Sequence, residues 1–507
     1  MKKDELEIKQ AEVWYTYSTY LTHVPCSLEA LAKALLVTNI TTEVFSSDGS
    51  IYYFENGKYK QESPEYKLKA DRTNASFSLK NFPKASLSKE CIYECFVYRY
   101  FQQNLLSMSD DKYIDTSYIR FLLGEIVFRL NNVRYHLYPF VTIYYSKAVI
   151  IEYRCIIDYA ISLGDFIKTY MPLPSAVVED CFASTNISKL FDENFVIDNT
   201  ETFTDAQEDF IFNLIRFIPV QDFSNLNQIS NCIWNGIFFK LNSFIKKEVF
   251  QIGCRWFERT DIHILELNKN YKSSNQIIEK HFDEIQQLLF LNDNTGSIFM
   301  YYPNLSNLRQ FDDYLYYFFS HRSLTVHKGN KSRKDNLNTV FSTQVINHYL
   351  SFYNVLFEGA FQNILSTDNY ADLLHFQEDL LLLDKDTVII SHYGEINDLI
   401  SHAEKELGIE KKKELVKSLL DSQKNIIDNK RSILNNKITF YISIIFGLIS
   451  SSTVSQDLII PLWNILKIPK PNDDLTKLIS YLLSFVIVTL SLVPLFKMIN
   501  KMKFFNH

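Results

Sequence analysis

Apolar positions along this 507-residue chain follow two different periods. Over 133–158, VRYHLYPFVTIYYSKAVIIEYRCIID places β-branched and aromatic residues in alternation around a YSKA turn, and that period of two predicts paired strands. SLGDFIKTYM, directly after, predicts a helix. Helices are also expected over 205–217 and 344–365, a short strand over 386–394, and loops over the polar stretches 56–81 and 328–338. From Ile409 the period becomes helical and stays so. No Gly or Pro interrupts the next 37 residues, and the doublets Leu419-Leu420, Ile426-Ile427, Ile433-Leu434 and Phe440-Tyr441 recur every seven. One long helix is expected, with an apolar seam for neighbouring helices.

That helix runs into a stretch, 438–456, of nineteen residues without a formal charge, and a second such stretch of nineteen covers 478–496. Each approaches the ~20 residues a helix needs to cross a bilayer, so two transmembrane helices are expected. Opposite the apolar seam lie Asp421, Asn425, Asp428, Ser432, Asn435, Thr439, Ser443, Gly447, Ser450 and Thr453, spaced by three or four residues and therefore on one face. The face continues from the charged part of the helix into the apolar part. Several copies around an axis with this face inward would enclose a polar-lined pore, with Asp421 and Asp428 as acidic rings at its mouth. Small residues in membrane helices also serve close packing without water, and SxxxG at Ser443 and Gly447 has that form.

Composition fills in the rest. A chain 47% hydrophobic, with only 12 Gly and 12 Pro, consists mostly of long regular elements around a sizeable core. Seven Cys, odd in number and spread over the first half, suit reduced thiols in a cytosolic compartment. Cys91 and Cys95 lack the further ligands of a zinc site. From Ala403 onward there are 15 basic and 9 acidic residues, so the chain's charge of −7 leaves −13 on what precedes. An acidic body argues against nucleic-acid binding. The first residues lack an apolar signal-peptide core. Lys424, Lys430, Arg431 and Lys437 precede the first span and Lys497, Lys501 and Lys503 follow the second, which places both ends in the cytoplasm. The expected organisation is an α+β, helix-rich cytosolic domain over 1–400, a stalk helix over 401–437 and a two-helix transmembrane domain over 438–507, in a cell inner membrane.

This layout, with SLLDSQKNIIDNKRSILNNKITFYISIIFGLIS entering the membrane and KMINKMKFF as a basic tail, resembles the CorA family of divalent-cation channels over roughly 380–507. The resemblance implies a homo-oligomer, a pentamer in that family, with the first span lining the pore. Family members that transport magnesium carry Gly-Met-Asn at the outer end of that span, where this chain has SSSTVSQ. The resemblance therefore points to a divergent branch found beside type III CRISPR systems. There it implies antiviral membrane permeabilisation gated by a nucleotide second messenger, S-adenosylmethionine joined to AMP. A divalent cation (Mg, Co or Ni) transporter is the alternative.

For an anionic ligand, HRSLTVHKGNKSRKDN gathers Arg322, His327, Lys328, Lys331, Arg333 and Lys334, a basic cluster in an acidic domain suited to a phosphate. Arg322 and His327 also have the R-x4-H spacing of HEPN-type ribonucleases, a second alternative. His392, Glu395 and His402 fall near one another but lack further ligands. No P-loop, HExxH, GxSxG or Rossmann fingerprint occurs, so neither an enzyme nor a cofactor is expected.

Overall fold

The structure is a computed structural model that describes residues 6–21, 27–63, 66–71, 74–79, 89–106, 116–191, 195–204, 211–219, 224–245, 256–290, 307–309, 312–328, 333–367, 370–386, 391, 393–467, 469 and 472–504. The chain divides into two units, Met1–Thr367 with Ala371–Leu420, and Asp368–Tyr370 with Asp421–His507. The fold is mixed α and β.

The first unit is built on one large sheet. Its main path runs, edge to edge, through Phe195–Thr204, Ile211–Pro219, Asp180–Ser184, Ile126–Leu130, Val133–Tyr144, Ala148–Ile157, Glu7–Tyr20, Phe257–Leu267, Arg322–His327 and Tyr314–Phe319. Along this path every pairing is antiparallel except that of Phe257–Leu267 with Arg322–His327. The second half of Val133–Tyr144 also pairs with Tyr118–Leu122, which carries a branch through Glu43–Ser46, Ile51–Glu55 and Lys58–Glu62. The strands expected over 133–158 are there, as is the helix after them, Leu163–Tyr170.

Three local expectations are corrected. Of the helix expected over 205–217, residues 205–210 lie outside the described residues and the rest belongs to the strand Ile211–Pro219, because a bonded strand on each side supplies ladder partners that outweigh any local helical preference. The loop expected over 56–81 contains the strands Lys58–Glu62, Tyr66–Asp71 and Asn74–Leu79. Asn56 and Gly57, at φ 51° and 74°, make the tight turn that returns the first of these onto Ile51–Glu55. The loop expected over 328–338 gives way at Arg333 to a 34-residue helix, Arg333–Ser366, which contains the expected 344–365. Of the strand expected over 386–394, residues 387–390 and 392 lie outside the described residues; the helix Gly394–Glu406 begins at its end.

The sheet is buried on both faces, and the two faces differ in chemistry. On Glu7–Tyr20, Ala11, Val13, Tyr15 and Tyr17 enter a large apolar core shared with the helices Leu28–Val37, Leu163–Tyr170, Leu226–Ile245 and Ser274–Phe290. The alternate residues Glu12, Trp14, Thr16 and Ser18 face the other way and are buried too. That face is covered by Arg333–Ser366 and Lys89–Leu105, as the cluster of Trp14, Val97, Leu265, Val340 and Phe341 records.

Beneath those helices lies a buried charged layer. Arg154 donates from Nε and Nη2 to the two oxygens of Glu12 at 2.9 and 2.8 Å, and from Nη1 to Glu94 at 2.5 Å. Glu152 pairs with Arg120 at 2.8 Å and with His348, whose Nδ1 is 2.6 Å from Tyr98 OH. Burial alone would raise Glu152, yet His348 and Arg120 overturn that and hold it below the usual carboxylate range. Asp261 accepts from Arg259 and Ser323, and Ser323 accepts in turn from Asn347. Fully buried charges are tolerated only when matched in this way. Helix and sheet also approach closely at Gly359, where a Cβ would sit 2.3 Å from Tyr20 Cγ.

In the second unit, the 46-residue stalk helix Ile409–Val454, whose first turns belong to the first unit, is exposed over most of its length. It passes through a π turn, Ser455–Ile459, into Ile460–Ile465, and a further helix covers Asp473–Phe504. Among the described residues, the helical stretch Ile409–Ile465 alone is long and apolar enough to cross a membrane. Its apolar part leaves Phe440, Tyr441, Ile445, Phe446 and Ile449 exposed, as a lipid-facing surface would.

Candidate ligand cavity and the polar line of the stalk helix

A cavity of about 1080 Å³ opens in the first unit where the parallel strand pair meets the base of the stalk helix. Its walls come from distant parts of the chain: Leu163–Tyr170 and the turn after it, the starts of Phe257–Leu267 and Arg322–His327, the end of Ser274–Phe290, the helix Arg333–Ser366, and Glu406 and Lys412. A parallel pair puts the starts of two strands at the same end, so Glu258 and Thr260 lie beside His321 and Arg322. The volume is at the upper end for small-molecule sites.

The lining combines rings with charges of both signs. Trp256, Phe257, Phe290 and Phe319 supply flat apolar surface, and Phe257 stacks against His321 at 6.0 Å. Lys168, Arg322 and Lys412 supply positive charge against Glu258, Glu358 and Glu406. Arg322 donates from Nη1 to the Leu289 carbonyl at 3.2 Å, and among the described residues no carboxylate lies within ion-pair distance of it. Burial lowers its pKa, against the pull of Glu258, so its charge is only partly compensated. Lys412 donates to Asn354 Oδ1 at 2.6 Å, lies 4.0 Å from Glu358 and sits 5.9 Å from the Phe257 ring centre. Such a surround can hold a compact anion and stack a planar ring.

The basic cluster read from the sequence is dispersed. Among its members whose side chains are described, Arg322 alone lines the cavity. His327, at the other end of the same six-residue strand, is buried against Tyr314. Five residue steps along the strand separate them by roughly 16 Å and turn them to opposite faces, so the R-x4-H pair is not brought together. Lys328 is committed to Asp312 at 3.0 Å. Asp312 also receives the Ser274 N–H, and these donors hold its carboxyl down at about 2. Lys331 lies outside the described residues. Arg333 and Lys334 open the helix Arg333–Ser366, and their side chains are also outside what is described. Glu395 and His402 lie seven residues apart on Gly394–Glu406, with Glu395 bound to Arg309 at 2.7 Å. What sequence reasoning missed is the aromatic and acidic remainder of the cavity and Lys412. No local signal marks them, because the fold assembles them from separate segments.

The ten residues assigned to one face of the stalk helix do lie on one uninterrupted helix. Asp421, Asn425, Asp428, Ser432, Asn435, Thr439 and Thr453 are exposed, and Ser443 and Ser450 half-buried. Gly447 is buried. It begins a second stripe at four-residue steps, Gly447, Ser451 and Ser455, whose members are all buried, about 100° around the helix from the centre of the polar line. On Asp473–Phe504 the four-residue series Thr476, Ser480 and Ser484 is buried as well, and this helix packs against the π turn that contains Ser455. Small residues at such spacing allow close helix approach in membranes. Within the single chain, Gly447 and its neighbours are the small residues that are buried. Thr439 and Ser443 donate to the carbonyls of Asn435 and Thr439 at 2.6 and 2.7 Å, so both hydroxyls are satisfied within the helix and still present oxygen to the surface.

Comparison with family models, with curated proteins and with solved structures finds no match for this chain.

Proposed function

We propose that this protein is a homo-oligomeric membrane channel, CorA-like in build, gated by a ligand that binds the cavity at the base of the stalk helix. The observation that carries the reading is a single element. The helix Ile409–Val454 contributes Lys412 to the cavity wall and continues without a break into an apolar stretch that bears a polar line. A bound molecule that changes the hold on its first turn acts on the whole rod, because a helix moves as a rigid body more readily than it bends. Copies gathered with Asp421, Asn425, Asp428, Ser432, Asn435, Thr439, Ser443, Ser450 and Thr453 inward would line the conduit. A second span over 478–496 would complete a two-span hairpin in an inner membrane.

The cavity's rings, Arg322 and Lys412 fit an anionic nucleotide, and its acidic residues fit a ligand that also carries positive charge. A second messenger of the S-adenosylmethionine–AMP type has both features, and in antiviral defence its arrival would open the channel and dissipate ion gradients. The decisive experiment is ion flux from liposomes containing the purified full-length protein, with and without candidate nucleotides, beside its mass in detergent. Nucleotide-dependent flux that Ser443→Leu abolishes, with the assembly intact, is the expected result. Flux unchanged by Ser443→Leu in an intact assembly would remove the pore from this face. Divalent uptake without nucleotide would favour the cation transporter instead.

A further inference from the structure

Arg322 supplies the one guanidinium on the wall of the cavity, and its surroundings fix its place there. Its Nη1 donates at 3.2 Å to the Leu289 carbonyl, one of the last carbonyls of Ser274–Phe290, which have no partner within their own helix. The helix end thus holds the guanidinium. The residue after Leu289, Phe290, sets its ring edge-on to Phe319 at 4.9 Å, and Phe319 is paired with Arg322 across the turn at Ser320 and His321. Each link is a hydrogen bond, a ring contact or a ladder pair, so the charge and the two rings form one connected patch, and all of it lines the cavity. What the patch lacks is a bonded counter-charge. Among the described residues the guanidinium makes no ion pair, and Glu258, the carboxylate that acts on it electrostatically, is bonded to Asn227 at 2.8 Å. A guanidinium that spends one N–H on a carbonyl keeps the others.

We propose that Arg322 is the anion selector of this cavity: its guanidinium grips one phosphate group of the ligand, and the Phe290–Phe319 pair beside it provides the apolar surface for the ligand's ring. The inference rests on the reading of the cavity as a ligand site and names the residue that gives the site its preference for negative charge. A planar fork matches a phosphate with two parallel, charge-assisted hydrogen bonds. Because Leu289 already fixes the guanidinium, little side-chain freedom is left to lose when the anion arrives. Glu258 works in the other direction. Its negative charge repels the phosphate and so sets how strong the preference is. Once bound, the phosphate joins a hydrogen-bonded chain that runs through Arg322 to the end of Ser274–Phe290, and that helix end is steadied by the ligand.

The test uses full-length protein in detergent, with AMP as a probe that joins a flat ring to a phosphate and adenosine as the same ring without the anion, each followed by equilibrium dialysis. Wild type should prefer AMP. Arg322→Gln should lower the ratio of AMP to adenosine affinity about tenfold or more. Arg322→Lys, which keeps the charge and loses the planar fork, should lower it less. Glu258→Gln should raise the ratio, because the repelling charge is gone while an amide oxygen remains for Asn227; a merely structural role for Arg322 would leave the ratio in this variant unmoved. Hydrogen exchange should show AMP protecting 286–290 and 319–322 more than adenosine does. No preference of the wild type for AMP, a ratio unchanged in Arg322→Gln, or a ratio unchanged or lowered in Glu258→Gln overturns the assignment. Should Arg322→Gln fail to fold, Glu258→Gln and the exchange pattern of the wild type decide. Failure of the channel reading is seen separately: AMP selected through Arg322, but no flux with any nucleotide in liposomes, keeps the anion site and removes the pore.

Discussion

Replacing Arg154 by Met tests whether the charged layer under the helices holds together by matching. The guanidinium is fully buried and makes three hydrogen bonds, two to Glu12 and one to Glu94, and it lies 5.2 Å from the Trp14 ring centre. Met fills nearly the same volume, so a cavity is not the main effect. What remains is Glu12, with no exposed surface and its principal counter-charge gone. Leaving one partner of a buried ion pair uncompensated costs about 3–5 kcal/mol. Glu94 is partly exposed and recovers water, so it adds little. The single variant should therefore lose about 3–5 kcal/mol in urea unfolding of the detergent-solubilised full chain, followed by tryptophan fluorescence. The double variant Glu12→Gln/Arg154→Met should recover more than half of that, because both charges have left the interior. A loss below about 1 kcal/mol in the single variant, or a double variant no better than the single, would refute the argument.

Three further outcomes are expected. Gly359→Ala forces a methyl against the Tyr20 ring at 2.3 Å, closer than the packing can accept, and should lower the unfolding midpoint by an amount equivalent to about 1–3 kcal/mol, measured by the same titration. Glu152, whose pKa is depressed below its ordinary value of 4.5, contributes stability that is present above that value and lost as pH falls through the lower folded one. Thermal midpoints should therefore drop on acidification below about pH 4.5, and Glu152→Gln should show a smaller drop from an already lower neutral value. Gly447→Leu, which puts a large side chain where the single chain leaves none exposed, should lower the thermal midpoint in detergent more than Ser443→Leu does; equal effects from both would show that the two stripes are one surface.

Legibility of the fold followed the range of the interactions concerned. The strands of 133–158 and the stalk helix were readable because their patterns are local: alternation in one, a break-free helical run in the other. The strand Ile211–Pro219 was not, since its partners begin at Asp180 and Phe195 and decide its state from outside. The Asn56-Gly57 turn was a local signal that the polar composition of 56–81 obscured. At the candidate site, the basic run was visible and its arrangement was not. A strand through Arg322 and His327 sends neighbouring charges to opposite faces, and the fold joins Arg322 to Lys412, 90 positions later. That the ten residues of the polar line share one continuous helix was legible from their spacing. Gly447 differs from the other nine in being buried, which its spacing does not foretell, since a glycine fits a wet face or a tight contact equally well.

The charged layer between sheet and helix also limits what the gating motion proposed above could be. Oily surfaces can slide past each other with small loss at every intermediate point, but Glu152 is joined to His348 and Gln344 of Arg333–Ser366, and Arg154 to Glu94 of Lys89–Leu105, at fixed places. A slip of one helical turn, about 5.4 Å, would part Glu152 from His348 in a dry interior. The helix Arg333–Ser366 is thereby fixed to the sheet as a stator. In the proposed channel, movement would then fall to what touches this helix from outside, the base of the stalk.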